Sequence, residues 1–301
     1  MNMLQALRAR WHYRERGYQV FRDVFPADEV MAIAALARQI PAHAGKLRRQ
    51  DGVFAANDFF PGTTLVRNPL LHPHLSLPGE LAPLSAALRQ FVTSPAIATR
   101  LRMLDGRRQH YVVHQVLLFL AAQTTDMHLD SWSLDTSPRG LSHTVWIPLQ
   151  PMDHRSGVPC VIPWPRRGVV TESMLGLTPG GADPQKERYD AYHRALRDQI
   201  MSSSPEIVSA LVRPGDFMAW SSLTPHFTMP SHPAPVERLS LQVLIRPATQ
   251  RWGDFLNQPH DRHSLQLVRV SPDFSIKIMD GEARREGSEG HRGQAPYLSA
   301  D

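Results

Sequence analysis

The sequence predicts a mainly β fold with flanking helices, and three observations support this class. Beyond residue 106 the chain contains five short runs rich in β-branched and aromatic residues, "YVVHQVLLFLAA", "HTVWIPL", "VPCVIPW", "GDFMAW" and "RLSLQVLIRP". Pro, Gly and Asp separate these runs, and many short strands spaced in this way indicate a sandwich or a barrel. Helical patterns are concentrated before residue 106. With 301 residues, 42% of them hydrophobic, the chain can bury one sizeable core.

The elements before residue 106 are predicted in the following order. Weak helical spacing of apolar residues over 3–17 precedes "YQVFRDVF", which alternates as a strand does. Pro26 is a start signal for a second helix. Residues 41–75 are rich in Pro, Gly, His and Asn and are expected to form a long loop. From residue 78 onward, "ELAPLSAALRQFVTSPAIATRL" predicts two helices broken near Ser94.

We expect residues 1–278 to form a single domain. Its helical part covers about 1–105, its β core about 106–250, and a helical insert within that core about 183–210. The sequence of 279–301, "MDGEARREGSEGHRGQAPYLSAD", is rich in Gly and charge and is expected to be a flexible tail.

Composition narrows the possible partners and the compartment. Lys and Arg number 33 against 28 Asp and Glu, and this mild excess is spread along the chain. Such a balance favours a small-molecule substrate, anionic or partly hydrophobic, over nucleic acid. The sequence contains no run of 18 consecutive apolar residues, so membrane insertion is not expected. The N-terminal stretch lacks the pattern of a secretory signal. Cys160 is the only cysteine, so no intrachain disulfide is possible and a cytoplasmic setting is expected.

A short motif, "HLD", suggests part of a metal site. In an extended segment alternate side chains share a face, so His128 and Asp130 can converge while Leu129 points away. Two histidines and one carboxylate form the facial triad of non-haem iron(II) oxygenases. His226, just beyond the strand "FMAW", is the best candidate for the third ligand. His232 is an alternative, although it lies between two prolines and close to the next motif.

The next motif is an arginine followed by a hydroxyl on one strand. Arg238 and Ser240 are two residues apart and therefore share a strand face. A guanidinium fork there could bind a carboxylate with two parallel hydrogen bonds. The alternative is a solvated arginine at a strand edge beside Glu237.

These motifs together resemble the phytanoyl-CoA dioxygenase family of iron(II)- and 2-oxoglutarate-dependent oxygenases. The likeness spans roughly residues 15–247. Its elements are "GYQVFRDVFPADEVMAIAALAR", "HLDSW", "HTVWIPLQPMDHRSGVPCVIPWPRRG" and "PGDFMAWSSLTPHFT" with "RLS". The resemblance implies a double-stranded β-helix, a distorted jelly roll of the cupin type, with the metal at its open mouth.

The resemblance also implies a role for each matching residue. His128, Asp130 and His226 would be the catalytic iron(II) ligands, and Arg238 would pair with the distal carboxylate of the co-substrate 2-oxoglutarate. Four further residues would contact the co-substrate or line its pocket: Thr228, Ser240, Gln115 and Trp146. Composition alone favours a core position for Trp146.

The implied reaction consumes 2-oxoglutarate and dioxygen and releases succinate and carbon dioxide. The expected outcome is hydroxylation of an unactivated C–H bond of a small-molecule metabolite, for example in a biosynthetic pathway. Halogenating relatives lack the metal-binding carboxylate, so Asp130 favours hydroxylation. Desaturation, epoxidation and ring formation stay open. Two other functions also stay open: a jelly-roll metal enzyme that does not use 2-oxoglutarate, and a barrel that binds a small ligand without turnover.

Overall fold

The computed structural model describes most of the chain. The described residues are 3–49, 52–53, 59–67, 69–75, 77, 79–107, 109–122, 124–132, 134–153, 155–178, 185–228, 235–253, 266–278 and 297–299.

The described α-helices lie mainly in the N-terminal third. They are α1 (Met3–Arg16), α2 (Ala27–Ala37), α3 (Ala82–Val92), α4 (Pro95–Asp105) and α5 (Gln185–Met201). The predicted break between two helices near Ser94 is confirmed, because α4 begins at Pro95, where a proline costs no hydrogen bond. The helix ends at Gly106, whose φ of 77° is the left-handed conformation that glycine adopts readily.

The described strands fall mostly in the second half of the chain. They are β1 (Tyr18–Phe21), β2 (Leu47–Arg49), β3 (Gly52–Val53), β4 (Leu70–Leu71), β5 (Tyr111–Ala121), β6 (Thr125–His128), β7 (Asp135–Ser137), β8 (His143–Pro148), β9 (Pro159–Val161), β10 (Val208–Ser209), β11 (Phe217–Ser221), β12 (His226–Thr228), β13 (Glu237–Pro247), β14 (Arg251–Gly253), β15 (Gln266–Arg269), β16 (Phe274–Ile278) and β17 (Tyr297–Ser299). The fold is therefore mainly β with flanking helices, as the sequence predicts.

Two sheets form the jelly roll. The large sheet has the order β1-β11-β8-β13-β5-β16-β15, with β4 on β5, and the small sheet has the order β10-β9-β12-β6. Trp146 and Trp220 of the large sheet pack in one buried cluster with Val161 of the small sheet. The sheets thus face each other, although within the described residues they do not close into a barrel.

The alternation along β13 separates the main core from the space between the sheets. Leu239, Leu241, Val243 and Ile245 belong to the main core cluster, which the N-terminal helices cover. The intervening residues point to the opposite face, toward the small sheet. Arg238 and Ser240, the two candidate site residues on β13, lie on this second face.

Helix α5 occupies the region of the predicted insert, of which residues 183–184 lie outside the described residues. Its buried residues Tyr192 and Leu196 pack in one cluster with Leu129 and Trp132. The insert therefore packs directly against the segment that carries the "HLD" motif. No described helix is long and apolar enough to cross a membrane.

Part of the predicted tail lies outside the described residues, namely 279–296 and 300–301. The three residues of β17 pair with β2, which in turn pairs with β3.

A buried ion pair joins the helical part to the large sheet. Asp105, at the end of α4, accepts hydrogen bonds from Arg166 Nη2 at 2.8 Å and from the Tyr111 hydroxyl at 2.8 Å. His143 Nε2 lies 3.1 Å from the same carboxylate, and the Tyr13 hydroxyl contacts His143 Nδ1 at 2.8 Å. Burial alone would raise the pKa of Asp105, but His143 and Arg166 hold it below its usual range.

We expect Asp105→Ala to lower the free energy of unfolding by about 3–5 kcal/mol, because it leaves a buried guanidinium without its counter-charge. Urea denaturation measures this loss. The matched control is Asp198→Ala, which breaks an ion pair with Arg197 whose side chains are 63% and 46% exposed. The control is expected to cost less than about 1 kcal/mol. Equal losses in the two variants would contradict a structural role for the Asp105 network.

Candidate metal centre

The candidate metal centre lies where β6 and β12 of the small sheet meet. His128 ends β6, His226 begins β12, and the two residues are direct partners in the antiparallel register. Their ring centroids lie 4.2 Å apart. Asp130 Oδ1 is 3.6 Å from His226 Nε2. One potential ligand atom from each of the three residues lies within 4.8 Å of the others, so the structure brings the three predicted ligands together.

Asp130 reaches this position by a different route from the one expected. The sequence predicts an extended segment, but β6 ends at His128 and Asp130 opens a 3-10 turn, Asp130–Trp132. The prediction of an extended segment through Asp130 is therefore wrong. Leu129 does point away from the two ligands, as expected, and its side chain is buried in the cluster against α5.

Both imidazoles are oriented by their Nδ1 atoms. His128 Nδ1 lies 2.8 Å from the carbonyl oxygen of Asp126, and His226 Nδ1 lies 3.0 Å from that of Thr224. A carbonyl oxygen only accepts hydrogen bonds, so each Nδ1 carries a proton, and in the neutral form of the ring Nε2 has the lone pair that a metal ion needs. Burial and the neighbouring His226 also lower the pKa of His128 to about 4, which leaves this imidazole neutral at neutral pH. Neutral imidazoles are the form that binds a metal ion.

Hydrogen bonds to one oxygen of the Asp130 carboxylate orient this side chain. Its Oδ2 atom accepts hydrogen bonds from Thr144 Oγ1 at 2.5 Å and from Trp220 Nε1 at 3.2 Å. These donors leave Oδ1 facing the imidazoles. Hydrogen bonds of this kind orient metal ligands in proteins and tune their basicity.

Sequence reasoning did not single out Thr144 and Trp220. The signal that could have found them is strand alternation, since Thr144 lies two residues before Trp146 in "TVW" and therefore on the same face. Thr144 and Trp220 are also direct partners in the register of β8 and β11.

The donor set fits a divalent metal ion such as iron(II). His226 Nε2 is buried and has no hydrogen-bond partner among the described residues. A buried polar atom without a partner is costly, and a metal ion on its lone pair would remove that cost. Two imidazoles and one carboxylate in a facial arrangement suit non-haem iron(II) and leave coordination positions open.

Helix α5 contributes a further polar contact to the ligand segment. His193 Nε2 accepts a hydrogen bond from the backbone N–H of Leu129 at 3.3 Å, while its Nδ1 donates to the carbonyl of Tyr189 at 2.9 Å. Burial and the nearby His128 lower the pKa of His193 to about 3, so its ring is neutral and can accept. No sequence pattern indicates this residue, because its partner, Leu129, lies 64 positions away in the chain.

Arg238 lies on the site face of β13 and is 2% exposed. Its Nη1 donates to the carbonyl of Gly157, its guanidinium stacks over the Phe119 ring at 5.1 Å, and its buried Nε has no partner among the described residues. The alternative of a solvated pair with Glu237 does not fit, since Glu237 pairs with Arg38 at 2.9 Å. Within the described residues no carboxylate pairs with Arg238, so a dicarboxylate ligand would supply its missing counter-charge.

The other predicted co-substrate contacts differ in how far their side chains are exposed. Ser240 is fully buried, and its hydroxyl oxygen has no hydrogen-bond partner in the part of the chain that the structure describes. Thr228 is 7% exposed and lies two residues beyond His226 on β12. Gln115 is partly exposed on the site face of β5. Trp146 is 1% exposed and packs in the apolar cluster between the sheets.

The rival ligand His232 lies outside the described residues. A second metal site from His110 and His114 also has little support. His110 Nε2 contacts Ser275 Oγ at 2.9 Å, and His114 Nε2 lies 3.3 Å from Lys277 Nζ, so the two rings have separate partners.

A jelly roll that carries two histidines and a carboxylate at one sheet edge, with a buried arginine on the facing sheet, defines the class of jelly-roll 2-oxoglutarate oxygenases. A family model described as phytanoyl-CoA dioxygenase (PhyH) matches residues 13–232. The chain therefore belongs to the phytanoyl-CoA dioxygenase family, whose members depend on iron(II), 2-oxoglutarate and dioxygen.

Solved structures with the same fold include enzymes of several reaction types. The non-heme alpha ketoglutarate dependent epimerase SnoN from nogalamycin biosynthesis superposes with a TM-score of 0.59 at 19% identity, over 93% of this chain and 98% of SnoN. The carbocyclase SnoK from the same biosynthesis gives 0.55 at 18% identity, over 97% and 96% of the two chains. EctD from S. alaskensis, solved with 2-oxoglutarate and 5-hydroxyectoine, gives 0.56 at 18% identity, over 87% and 82%. At these identities the likeness shows the fold alone. No functionally curated protein sequence matches the chain.

Proposed function

We propose that this protein is an iron(II)- and 2-oxoglutarate-dependent dioxygenase that hydroxylates an unactivated C–H bond of a small-molecule metabolite. One observation carries the proposal: the ligand atoms of His128, Asp130 and His226 lie within 4.8 Å of one another. The buried Arg238, which lacks a carboxylate partner among the described residues, adds the requirement for a diacid.

In this proposal His128, Asp130 and His226 hold the metal, and Arg238 binds the distal carboxylate of 2-oxoglutarate. Ser240 supports that carboxylate through its hydroxyl, which has no hydrogen-bond partner among the described residues. Thr228, Gln115 and Trp146 line the same space. Bound iron(II) with 2-oxoglutarate and dioxygen supplies the oxidising power, in a reaction that converts C–H to C–OH and releases succinate and carbon dioxide.

The protein's own contribution is orientation and burial. Thr144 and Trp220 bind one oxygen of Asp130 and leave the other for the metal. The carbonyls of Asp126 and Thr224 fix the imidazole tautomers. These contacts hold the ligands in place before a metal ion binds, which reduces the rearrangement that binding requires.

Hydroxylation is the favoured reaction because the metal-binding carboxylate is present. The fold itself does not select the reaction, since structures with this fold include an epimerase and a carbocyclase. A jelly-roll metal enzyme that does not use 2-oxoglutarate is the main alternative, and the buried Arg238, with which no carboxylate among the described residues pairs, speaks against it. A binding barrel without turnover would require neither the metal ligands nor this arginine. We also propose a cytoplasmic enzyme, since its single cysteine suits a reducing compartment.

Anaerobic titration tests this proposal. Adding iron(II) and then 2-oxoglutarate to the full-length protein should produce a weak visible charge-transfer band that iron(II) alone does not give. Admitting dioxygen should release succinate, and a screen of metabolites by mass spectrometry should find one that gains a single oxygen atom in step with succinate. If the protein binds iron(II) but shows no band at saturating 2-oxoglutarate, the result would favour a metal enzyme that does not use 2-oxoglutarate.

A further inference from the structure

The site face of β13 carries a second arginine, at the opposite end from Arg238. Side chains alternate along the strand, so Arg238, Ser240, Gln242, Leu244 and Arg246 all point away from the main core. The odd-numbered residues between them belong to the core cluster. The register of β13 with β8 is continuous from Ser240 to Ile245. Its register with β5 shifts between Leu244 and Ile245, where the extra residue lies on β5, and between Glu237 and Ser240, where it lies on β13.

The register also relates Arg246 to the candidate metal centre. Leu244 is the direct partner of Thr144, whose hydroxyl binds the ligand carboxylate of Asp130. Arg246 is the next residue on the same face, which places its Cα about 7 Å further along the strand. Arg238 lies six residues before Leu244 on β13, which is three positions along the same face. The row of Leu244 and Thr144 that approaches the metal ligands therefore lies between the two arginines along the strand.

Arg246 is buried, at 6% exposure, without a counter-charge among the described residues. Its Nη1 donates to the carbonyl oxygens of Gln250 at 2.5 Å and Pro247 at 3.4 Å, and its buried Nε has no hydrogen-bond partner among the described residues. Burial lowers the pKa of Arg246, although a guanidinium remains charged at neutral pH. A buried cation without an anion is unfavourable, so a bound anion would stabilise it.

A second cation lies on the same sheet face, on the other side of β5 from Arg246. Arg246 and Ser275 are both register partners of Val112, and Lys277 is the next residue on the face of Ser275. Lys277 Nζ lies 3.3 Å from His114 Nε2. Burial, and also Lys277 and Arg246, lower the pKa of His114 well below its ordinary value, so this imidazole is neutral and adds no charge.

Part of this face is accessible to solvent. On β13 and β5 the main-core residues are buried, whereas Gln242 and Gln115 on the site face are partly exposed. Polar side chains that face accessible space between two basic ends suit a polar molecule more than an apolar one.

We infer that Arg246 binds an anionic group, a carboxylate or a phosphate, of the primary substrate. The inference rests on the proposed function, because it assigns the space between Arg246 and the metal ligands to the molecule that is oxidised. The two arginines would then divide the work, with Arg238 selecting the co-substrate diacid and Arg246 orienting the substrate from the other side. A guanidinium fork matches both carboxylate and phosphate geometry.

The test uses matched anionic and neutral probes on the full-length protein loaded anaerobically with iron(II) and saturating 2-oxoglutarate. Phenylacetate is compared with phenylacetamide, hexanoate with hexanamide, and phenyl phosphate with phenol. Binding is followed by calorimetry and by the change in the visible band. At least one anion should bind at least tenfold more tightly than its neutral counterpart, and comparing the carboxylates with the phosphate identifies the preferred group. Saturating 2-oxoglutarate ensures that this site is not the one at Arg238.

Three variants assign the effect to Arg246. Arg246→Gln should lose the preference for the anion, Arg246→Lys should keep part of it, and Arg269→Gln, which alters an exposed arginine on β15, should keep all of it. Equal binding of anions and neutral probes to the wild-type protein, or an undiminished preference in Arg246→Gln, would overturn the inference. A lower melting temperature of Arg246→Gln without any change in preference would assign this arginine to holding the loop at Gln250 instead. A wild-type protein that gives no band contradicts the proposed function separately.

Discussion

Replacing Asp130 with alanine is expected to abolish succinate formation and to weaken iron(II) binding by more than 100-fold. Residues that only contact metal ligands already change metal affinity by about 10–100-fold when they are removed, and a ligand should cost more. The variant also leaves the Thr144 hydroxyl and the Trp220 indole without their common acceptor. Iron(II) affinity is measured by anaerobic calorimetry, and succinate release by chromatography.

A graded set of variants separates loss of the ligand from loss of the fold. Thr144→Val removes one hydrogen bond to Asp130 and keeps all three ligands, so its iron(II) affinity should fall by about 10–100-fold. Asp198→Ala removes a carboxylate that is 63% exposed and should behave as the wild type. His128→Ala and His226→Ala should match Asp130→Ala. Full activity of any ligand variant would remove that residue from the metal centre.

The three candidate ligands could be predicted from the sequence because two of them lie in one short motif and the third follows a strand with a clear sequence pattern. His128 and Asp130 are two residues apart, and the imidazole of His226 follows a recognisable strand. The route by which Asp130 reaches the site could not be predicted, since the 3-10 turn after His128 depends on tertiary contacts. Its Ser131 N–H binds the carbonyl of Ser222, which lies in the connection between β11 and β12.

The groups that orient the ligands were harder to foresee than the ligands. Trp220 and His193 reach the motif from strand β11 and helix α5, and neither contact follows from sequence spacing. Arg246 illustrates the same limit. Its alternation with Arg238 is visible in the sequence, but its burial without a counter-charge is a property of the assembled sheets.

Enzymes with this fold differ in reaction, so the residues that face the substrate should decide the outcome for this chain. Helix α5 packs on Leu129 through Tyr192 and Leu196, and His193 binds the backbone between the two ligands of the motif. The helix therefore supports the segment that carries two of the candidate ligands.

Arg238→Gln is expected to raise the dissociation constant of 2-oxoglutarate while it leaves iron(II) affinity nearly unchanged. Removing one partner of a buried, hydrogen-bonded charge pair costs about 2–5 kcal/mol, or roughly 30- to 4000-fold in affinity. Ser240→Ala removes one neutral donor and should cost about 0.5–1.5 kcal/mol. The dissociation constants are measured from the visible band under anaerobic conditions.

The structure also predicts the effect of this variant on the protein without ligands. Burial lowers the pKa of Arg238 to about 10, which reflects the cost of a charge that has no carboxylate partner among the described residues. Replacing it with a neutral side chain should therefore leave the melting temperature unchanged or raise it. A stabilised variant that no longer binds 2-oxoglutarate would mean that the arginine serves the ligand and not the fold.

A ligand that lacks the distal carboxylate completes the test of Arg238. The wild-type protein should bind 2-oxobutanoate far more weakly than 2-oxoglutarate, because the guanidinium then has no anion to contact. Arg238→Gln should bind both oxo acids with similar affinity, so the two changes together should cost much less than the sum of their separate effects. Additive losses would show that Arg238 does not contact the distal carboxylate, and a loss of iron(II) affinity equal to that of 2-oxoglutarate would reassign it to supporting the metal ligands.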